Sequence, residues 1–290
     1  MPTKLMGDGL PPSMLELLPE EYEVVPWTES PDGSIAAEIT ALVTYGHPDV
    51  NGALLDRLPE LKVVSNHGVG VDHIDLGAAE ARGIPVGNTP GCLDDATADM
   101  TMALLLAAAR NVVVGDRFAR GLGFTSYDPS ILIGHEVSGS TLGIIGMGRI
   151  GTRVARRARA FDMRVLYYNR RPVADAERER GGQYAAHLIG AKELDQMKAS
   201  AVLINMARGG VVETEALYGA LRDGRIAAAA LEVTEPEPLP RDHPLLGLEN
   251  VVITPHLGSA SDRTRRRMIE MTVANLTAGV NGDPLPFRIR

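Results

Sequence analysis

One cysteine, Cys92, stands in 290 residues, so no disulfide can form within the chain and a reducing compartment is expected. Cys92 itself reads as a small loop residue rather than a nucleophile. An excess of positive charge is also lacking. The net charge is −8 and no basic arm appears, which argues against nucleic acid as a partner. The locally basic run Arg263 to Arg267 reads as the solvated face of a helix. Long apolar runs are absent too: Met100 to Ala109 is the longest, about half the ~20 residues a membrane span needs. The first residues show no basic stretch followed by an apolar one, so no secretory signal is expected. A cytoplasmic protein without membrane contact is the expectation.

What remains is an ordinary globular composition, 44% hydrophobic and 23% charged, at a length that suits two domains. In the first ninety residues short apolar strands (Lys4–Met6, Glu23–Val25, Ala41–Thr44, Val63–Ser65, Pro85–Gly87) alternate with helices (Ser13–Leu18, Asn51–Leu58, Asp75–Arg82). That alternation predicts a parallel sheet with helices on its faces. One long helix is expected from Asp94 to about Arg120, apolar nearly all round from Met100 to Ala109 and hence buried on several sides. Further strands are expected at Leu142–Ile145, Arg164–Tyr168, Ala201–Asn205, Ala227–Val233 and Asn250–Thr254. A helix at Glu213–Asp223 lies between two of them, and Ser261 to Gly279 closes the chain as a long helix.

The most informative stretch is Gly146-Met-Gly148-Arg-Ile-Gly151, between an apolar strand and an amphipathic helix. In that setting Gly-x-Gly-x-x-Gly is a dinucleotide fingerprint. Gly146 permits the tight turn, Gly148 the approach of a pyrophosphate, and Gly151 close packing of helix on strand. The helix N-terminus then offers N–H groups and a positive dipole end to the phosphates.

Four further motifs occur in order: Gly68-Val-Gly-Val-Asp-His73, Asn205-Met-Ala-Arg-Gly-Gly210, Glu235-Pro-Glu-Pro-Leu239 and Thr254-Pro-His-Leu-Gly-Ser259. Together they closely resemble the D-isomer-specific 2-hydroxyacid dehydrogenases, and within that family the glyoxylate/hydroxypyruvate reductases. The resemblance covers almost the whole chain. It implies a flavodoxin-like substrate domain (1–90 plus 262–290) and a Rossmann cofactor domain (91–261), both doubly wound parallel α/β folds. It implies hydride transfer between a nicotinamide and the carbonyl of a small 2-oxo acid.

By that resemblance His256 is the general acid, suited by an imidazole that titrates near neutrality. Glu237 is the carboxylate that orients it, and Arg208 grips the substrate's carboxylate and carbonyl with its planar fork. Val69 and Gly70 add backbone N–H groups to the same carboxylate. Thr97, Gly146, Gly148, Arg149, Ile150, Gly151, Asn169, Arg170, Arg171, Glu232, Gly258 and Ser259 are the implied cofactor residues. Glu232 stands where the family usually has Asp beside the nicotinamide amide. His67 is expected to be structural, and His73, His135, His187 and His243 show no metal-ligand pattern, so no metal site is assigned. Aromatic residues such as Phe124 and Tyr127 line the pocket or reach across a dimer contact in similar reductases, so a homodimer is expected.

NAD-preferring folds place an acid about 20 residues past the glycines. Here Tyr168-Asn169-Arg170-Arg171 has none, and the arginine pair suits a 2′-phosphate. NADPH is therefore expected, with NADH second; a basic surface turn is the alternative for Arg171.

The chain departs from the family between Tyr168 and Ala201. Roughly one strand with its flanking helix and loop is absent, by the length of a βαβ unit. In the six-stranded order the lost strand would lie beside the fingerprint strand. Gln183 to Ile189 could substitute in part, although it reads as a poor central strand. Two alternatives to a working enzyme follow: an inactive or truncated isoform, and a non-catalytic dinucleotide-binding regulator.

Overall fold

A computed structural model describes residues 3–28, 31, 33–169 and 188–289. They divide into two compact units, one made of the described residues up to 93 together with 261–289, the other of 94–169 together with 188–260.

In unit 1 the strands β1 (Thr3–Met6), β2 (Tyr22–Val25), β3 (Ile39–Thr44), β4 (Val63–Asn66) and β5 (Val86–Gly87) form one sheet of order β2-β1-β3-β4-β5. Every ladder in it is parallel, so both faces must be covered. Alternate side chains divide the work. Met6, Leu42, Val64 and Val86 pack with Leu54, Leu55 and Ala79 of α3 (Gly52–Asp56) and α4 (Leu76–Ala81). Leu5, Ala41, Val43 and Val63 pack with Met14 of α1 (Pro12–Leu15) and with Ile269 and Leu276 of the closing helix, Asp262–Asn281. A short α2 covers Gly33–Ala36. The closing helix lies so near β4 that a β-carbon on Gly279 would fall 2.4 Å from Val63 Cβ.

Unit 2 opens with α5 (Asp94–Ala109), buried on several sides as its composition demands. The expected single helix to Arg120 is corrected here. Asn111 adopts a left-handed conformation (φ 54), and α6 (Val112–Arg120) leaves at 61° to α5. Asn is among the few residues that enter that well readily, and its side chain donates to the Leu132 carbonyl at 3.2 Å. Among the described residues no single helix is long and apolar enough to cross a membrane; only the bent α5–α6 pair passes by length and composition.

Among the described residues the strands of unit 2 form two separate sheets. β6 (Thr141–Ile145) pairs in parallel with β7 (Arg164–Tyr168). β8 (Val202–Asn205), β9 (Ala228–Leu231) and β10 (Val251–Ile253) form a second parallel sheet of order β10-β9-β8. Among the described residues no ladder joins β6 to β8. Both strands nevertheless rest on α5, since Leu142, Ile144, Val202 and Ile204 share a cluster with Ala98, Met102 and Leu105. The residues between them, where the sequence implies a lost strand, include 170–187, which lie outside the described residues. On the other face of the β8–β10 sheet, α8 (Ala191–Asp195) and α9 (Thr214–Arg222) bury Leu194, Leu217 and Leu221 against Leu203 and Leu231. The closing helix is α10. Of the suggested substitute strand, 183–187 lies outside the described residues, and Ile189 forms an isolated parallel bridge with Val212.

Candidate active site

Parallel strands put their C-terminal ends on one side. The loops after β8, β9 and β10 are thus neighbours, and they carry Arg208, Glu237 and His256. Asn205, buried at the end of β8, shapes the first loop: its amide donates to the Arg208 carbonyl at 2.9 Å, and its oxygen accepts the Ala207 N–H at 3.1 Å. Gly209 then lies against the second loop, where a β-carbon would sit 1.9 Å from the Thr234 carbonyl oxygen. Only glycine allows Arg208 and the 234–237 segment to share that end of the sheet. Thr214 fastens the segment from beneath, its hydroxyl donating to the Glu235 carbonyl at 3.0 Å.

His256 follows β10 with φ 56, and its Nδ1 lies 3.0 Å from Glu237 Oε1. Both side chains are a little over one-third exposed, so the pair faces solvent on one side. Glu237 meets the imidazole, as its place in the Glu-Pro-Leu motif implies. Glu232, just past β9, is buried. It accepts from the Thr254 hydroxyl and the Gly258 N–H. A β-carbon on Gly258 would come 3.2 Å from Glu232 Oε1 and 3.4 Å from Thr97 Cγ2, so Thr97, Glu232 and Gly258 converge. Ser259 is the half-buried residue that follows.

The fingerprint has the features a dinucleotide requires. Gly146 sits at φ 98, and a β-carbon on Gly151 would fall 2.4 Å from the Gly146 carbonyl oxygen. A β-carbon on Gly148 would meet nothing within 4 Å, and this residue caps α7 (Arg149–Arg159) without a side-chain bond. The helix therefore begins at Arg149, inside the fingerprint itself. It presents the N–H groups of its first turn, Arg149 and Ile150 included, at an open glycine edge. The Arg149 guanidinium is directed elsewhere, pairing with the buried Asp94 at 2.8 Å and tying α7 to the start of α5. Asn169 follows β7 and is half-buried; Arg170, Arg171 and His187 lie outside the described residues.

In unit 1 the Gly68–Gly70 loop follows β4. The Asn66 amide donates to the carbonyls of Gly68 and Gly70 at 3.0 and 2.8 Å, and Asn88 donates to that of Val69 at 2.9 Å. Because a trans peptide points its N–H opposite its C=O, these bonds turn the Val69 and Gly70 N–H groups to the other side. His67 is buried beneath, with Nδ1 3.2 Å from Thr272 Oγ1 and its ring against Tyr45. Burial, with the nearby Arg265 cation second, lowers its pKa to about 4, so it is a neutral structural residue. Elsewhere His243 is engaged by Glu215. Among the described residues no cluster of three or more metal-ligating side chains occurs.

The family description "D-isomer specific 2-hydroxyacid dehydrogenase, NAD binding domain" matches residues 102–186 and 182–258. A glyoxylate reductase of Korarchaeum cryptofilum is 42% identical over 306 aligned positions, covering 96% of this chain and 92% of that protein. The chain belongs to the D-isomer-specific 2-hydroxyacid dehydrogenases. It is an NAD(P)-linked oxidoreductase of that type. A crystal structure of a Thermus thermophilus protein superposes with a TM-score of 0.88 at 41% identity, covering 99% of this chain and all of that one. An NADPH-dependent glyoxylate/hydroxypyruvate reductase from Sinorhizobium meliloti, in complex with NADP and malonate, gives 0.86 at 31% identity, covering 99% and 96%. Two findings also bear on the shortened sheet. The family description matches in two stretches that meet at 182–186, between β7 and α8. The 306 aligned positions exceed the 290 residues of this chain, so the archaeal relative carries residues that this one lacks.

Residue-type patterns alone pass over three contributors, Asn205, Thr254 and Asp94. Each stood within or beside a motif: Asn205 opens the Arg-Gly-Gly loop, Thr254 opens the histidine loop, and Asp94 begins α5. What hid them is that their work is to hold loops, which only the hydrogen-bond pattern reveals.

Proposed function

We propose that this chain reduces glyoxylate or hydroxypyruvate to the corresponding 2-hydroxy acid (the D-isomer for hydroxypyruvate) with a nicotinamide dinucleotide. The observation that carries the reading is His256 Nδ1 at 3.0 Å from Glu237, on the sheet end that also carries Arg208. Residues 1–90 with 262–290 are assigned to substrate binding and 91–261 to the dinucleotide.

Arg208 receives the substrate's carboxylate by its bidentate fork; in unit 1 the Val69 and Gly70 N–H groups are the proposed anion donors. Glu237 holds the imidazole by Nδ1, so Nε2 is the nitrogen assigned to proton delivery onto the carbonyl oxygen. Gly146, Gly148 and Gly151 with the first turn of α7 hold the pyrophosphate, while Thr97, Glu232, Gly258 and Ser259 face the nicotinamide end. The bound dinucleotide supplies the hydride. Substituting His256→Gln removes the proton donor and lowers kcat by about 10²–10⁴, measured as dinucleotide oxidation with glyoxylate. Equal turnover in variant and parent would overturn the assignment.

NADPH is the preferred form on this reading, supported by the lack of an acid after β7 and by Arg170 and Arg171. Replacing both by alanine should weaken NADPH much more than NADH; equal losses would reject it. A homodimer is supported by α6, which buries none of its own residues, and by the exposed Leu122, Phe124, Tyr127 and Ile133 that follow it. A single cysteine suits the cytoplasm.

A further inference from the structure

We propose that Glu232 is the positioning residue for His256, holding it in its left-handed turn by fastening the 254–258 loop at three points. The inference rests on the reading of His256 as proton donor.

His256 has φ 56, a well in which the β-carbon of an L-residue crowds the backbone. A bulky side chain stays there only where its surroundings over-determine it. Here they converge on one residue. The Glu232 carbonyl accepts the His256 N–H at 3.1 Å, a proton shared with the Thr254 carbonyl at 3.0 Å. Glu232 Oε2 accepts the Thr254 hydroxyl, and Oε1 accepts the Gly258 N–H. Entry, apex and exit of the loop are therefore all attached to Glu232. That residue is 2% exposed, and its own N–H donates to the Asn205 carbonyl at 3.0 Å, which fixes it to the loop of Arg208.

The two glutamates have separate tasks. Glu237 sets the rotation of the imidazole through Nδ1, whereas Glu232 sets the backbone from which the ring hangs. Length matters for the second task. An aspartate is shorter by one methylene, about 1.5 Å, and cannot span to Thr254 Oγ1 and Gly258 N together from the same backbone. A carboxylate has about four lone-pair sites, so holding the loop leaves acceptors for a nicotinamide amide.

The test uses the full chain with Glu232→Gln, Glu232→Asp and Thr254→Val, the last removing one donor while the acid stays. Amide hydrogen exchange, read without dinucleotide, should quicken at His256 and Gly258 by about tenfold in Glu232→Gln, for the loss of one charge-assisted bond. It should quicken less in Thr254→Val and stay unchanged in β8. Steady-state kinetics with glyoxylate, read at saturating dinucleotide, should show kcat reduced by about 10- to 100-fold, as for a misplaced group. Glu232→Asp should restore less than half of the lost kcat. Parental exchange at 256 and 258 in both Glu232→Gln and Thr254→Val would overturn the proposal. So would weakened dinucleotide binding with kcat retained at saturation, because Glu232 would then act on the cofactor alone. Should the parent reduce no glyoxylate, the functional reading fails while the exchange arm still decides this one.

Discussion

Unit 1 and unit 2 are made of the same parallel ladders, yet among the described residues one sheet is continuous and the other is divided. In unit 1, β3 runs between β1 and β4, and every residue of β4 is buried. In unit 2, β6 and β7 have only each other as partners among the described residues. Ile145, Leu166, Tyr167 and Tyr168 remain roughly half exposed or more. Full burial of such a side chain is worth about 1.5–3 kcal/mol, so this two-stranded ladder forgoes several kcal/mol that its counterpart in unit 1 retains. In the β8–β10 sheet the middle strand is fully buried: Ala228 and Ala230 face α5 while Ala229 and Leu231 face α9. The chemistry-bearing loops all leave this intact sheet. The difference teaches that the gap falls beside the strand proposed to support the dinucleotide and spares the His256–Glu237 pair proposed to deliver the proton.

The comparison can be broken first at Gly209. If the intact sheet end positions the reaction, Gly209→Ala, whose β-carbon would overlap the Thr234 carbonyl, should lower kcat by about 10²-fold or more through displacement of Arg208. It should also destabilise unit 2 by about 2–4 kcal/mol. Turnover and melting that match the parent would refute this account of the loop. A second test compares the ladders directly. Native-state hydrogen exchange should show β6 and β7 opening at lower free energy than β3 and β4. Dinucleotide at 100 times its dissociation constant should raise unit 2 protection by about 2.7 kcal/mol, and equal protection in both ladders without dinucleotide would erase the contrast.

A smaller effect belongs to unit 1. His67 is neutral in the fold, with a pKa lowered to about 4, and about 6.5 when unfolded. The unfolded chain therefore binds more protons between those values, so this contribution is complete above pH 6.5 and is lost as pH falls toward 4. The loss is about 3 kcal/mol as an upper bound. In His67→Gln the stability of unit 1 should fall less steeply over that window, as followed by denaturant unfolding. An unchanged acid slope would contradict the burial argument.

Much of this was legible in the residues. Glycine spacing between an apolar strand and a helix located the turn before α7, and the order of the loop motifs located Arg208, Glu237 and His256. The shortened segment was legible because Tyr168 is followed too closely by the text around Ile189. Three matters were not. The break after Ala109 depends on one backbone angle at Asn111, which an unbroken apolar pattern conceals. The start of α7 at Arg149 follows from Gly148 serving as a cap, where amphipathicity says little. The three attachments of Glu232 involve its own carbonyl and a distant amide, and no periodicity records those.

The most direct test of the account is whether the divided sheet supports reduction. Purified chain is mixed with NADPH, and the near-ultraviolet absorbance of the reduced nicotinamide is followed before and after glyoxylate is added. The account predicts steady oxidation only once glyoxylate is present, abolished in His256→Gln. A trace that stays flat with glyoxylate, given that NADPH is shown to bind, would contradict it.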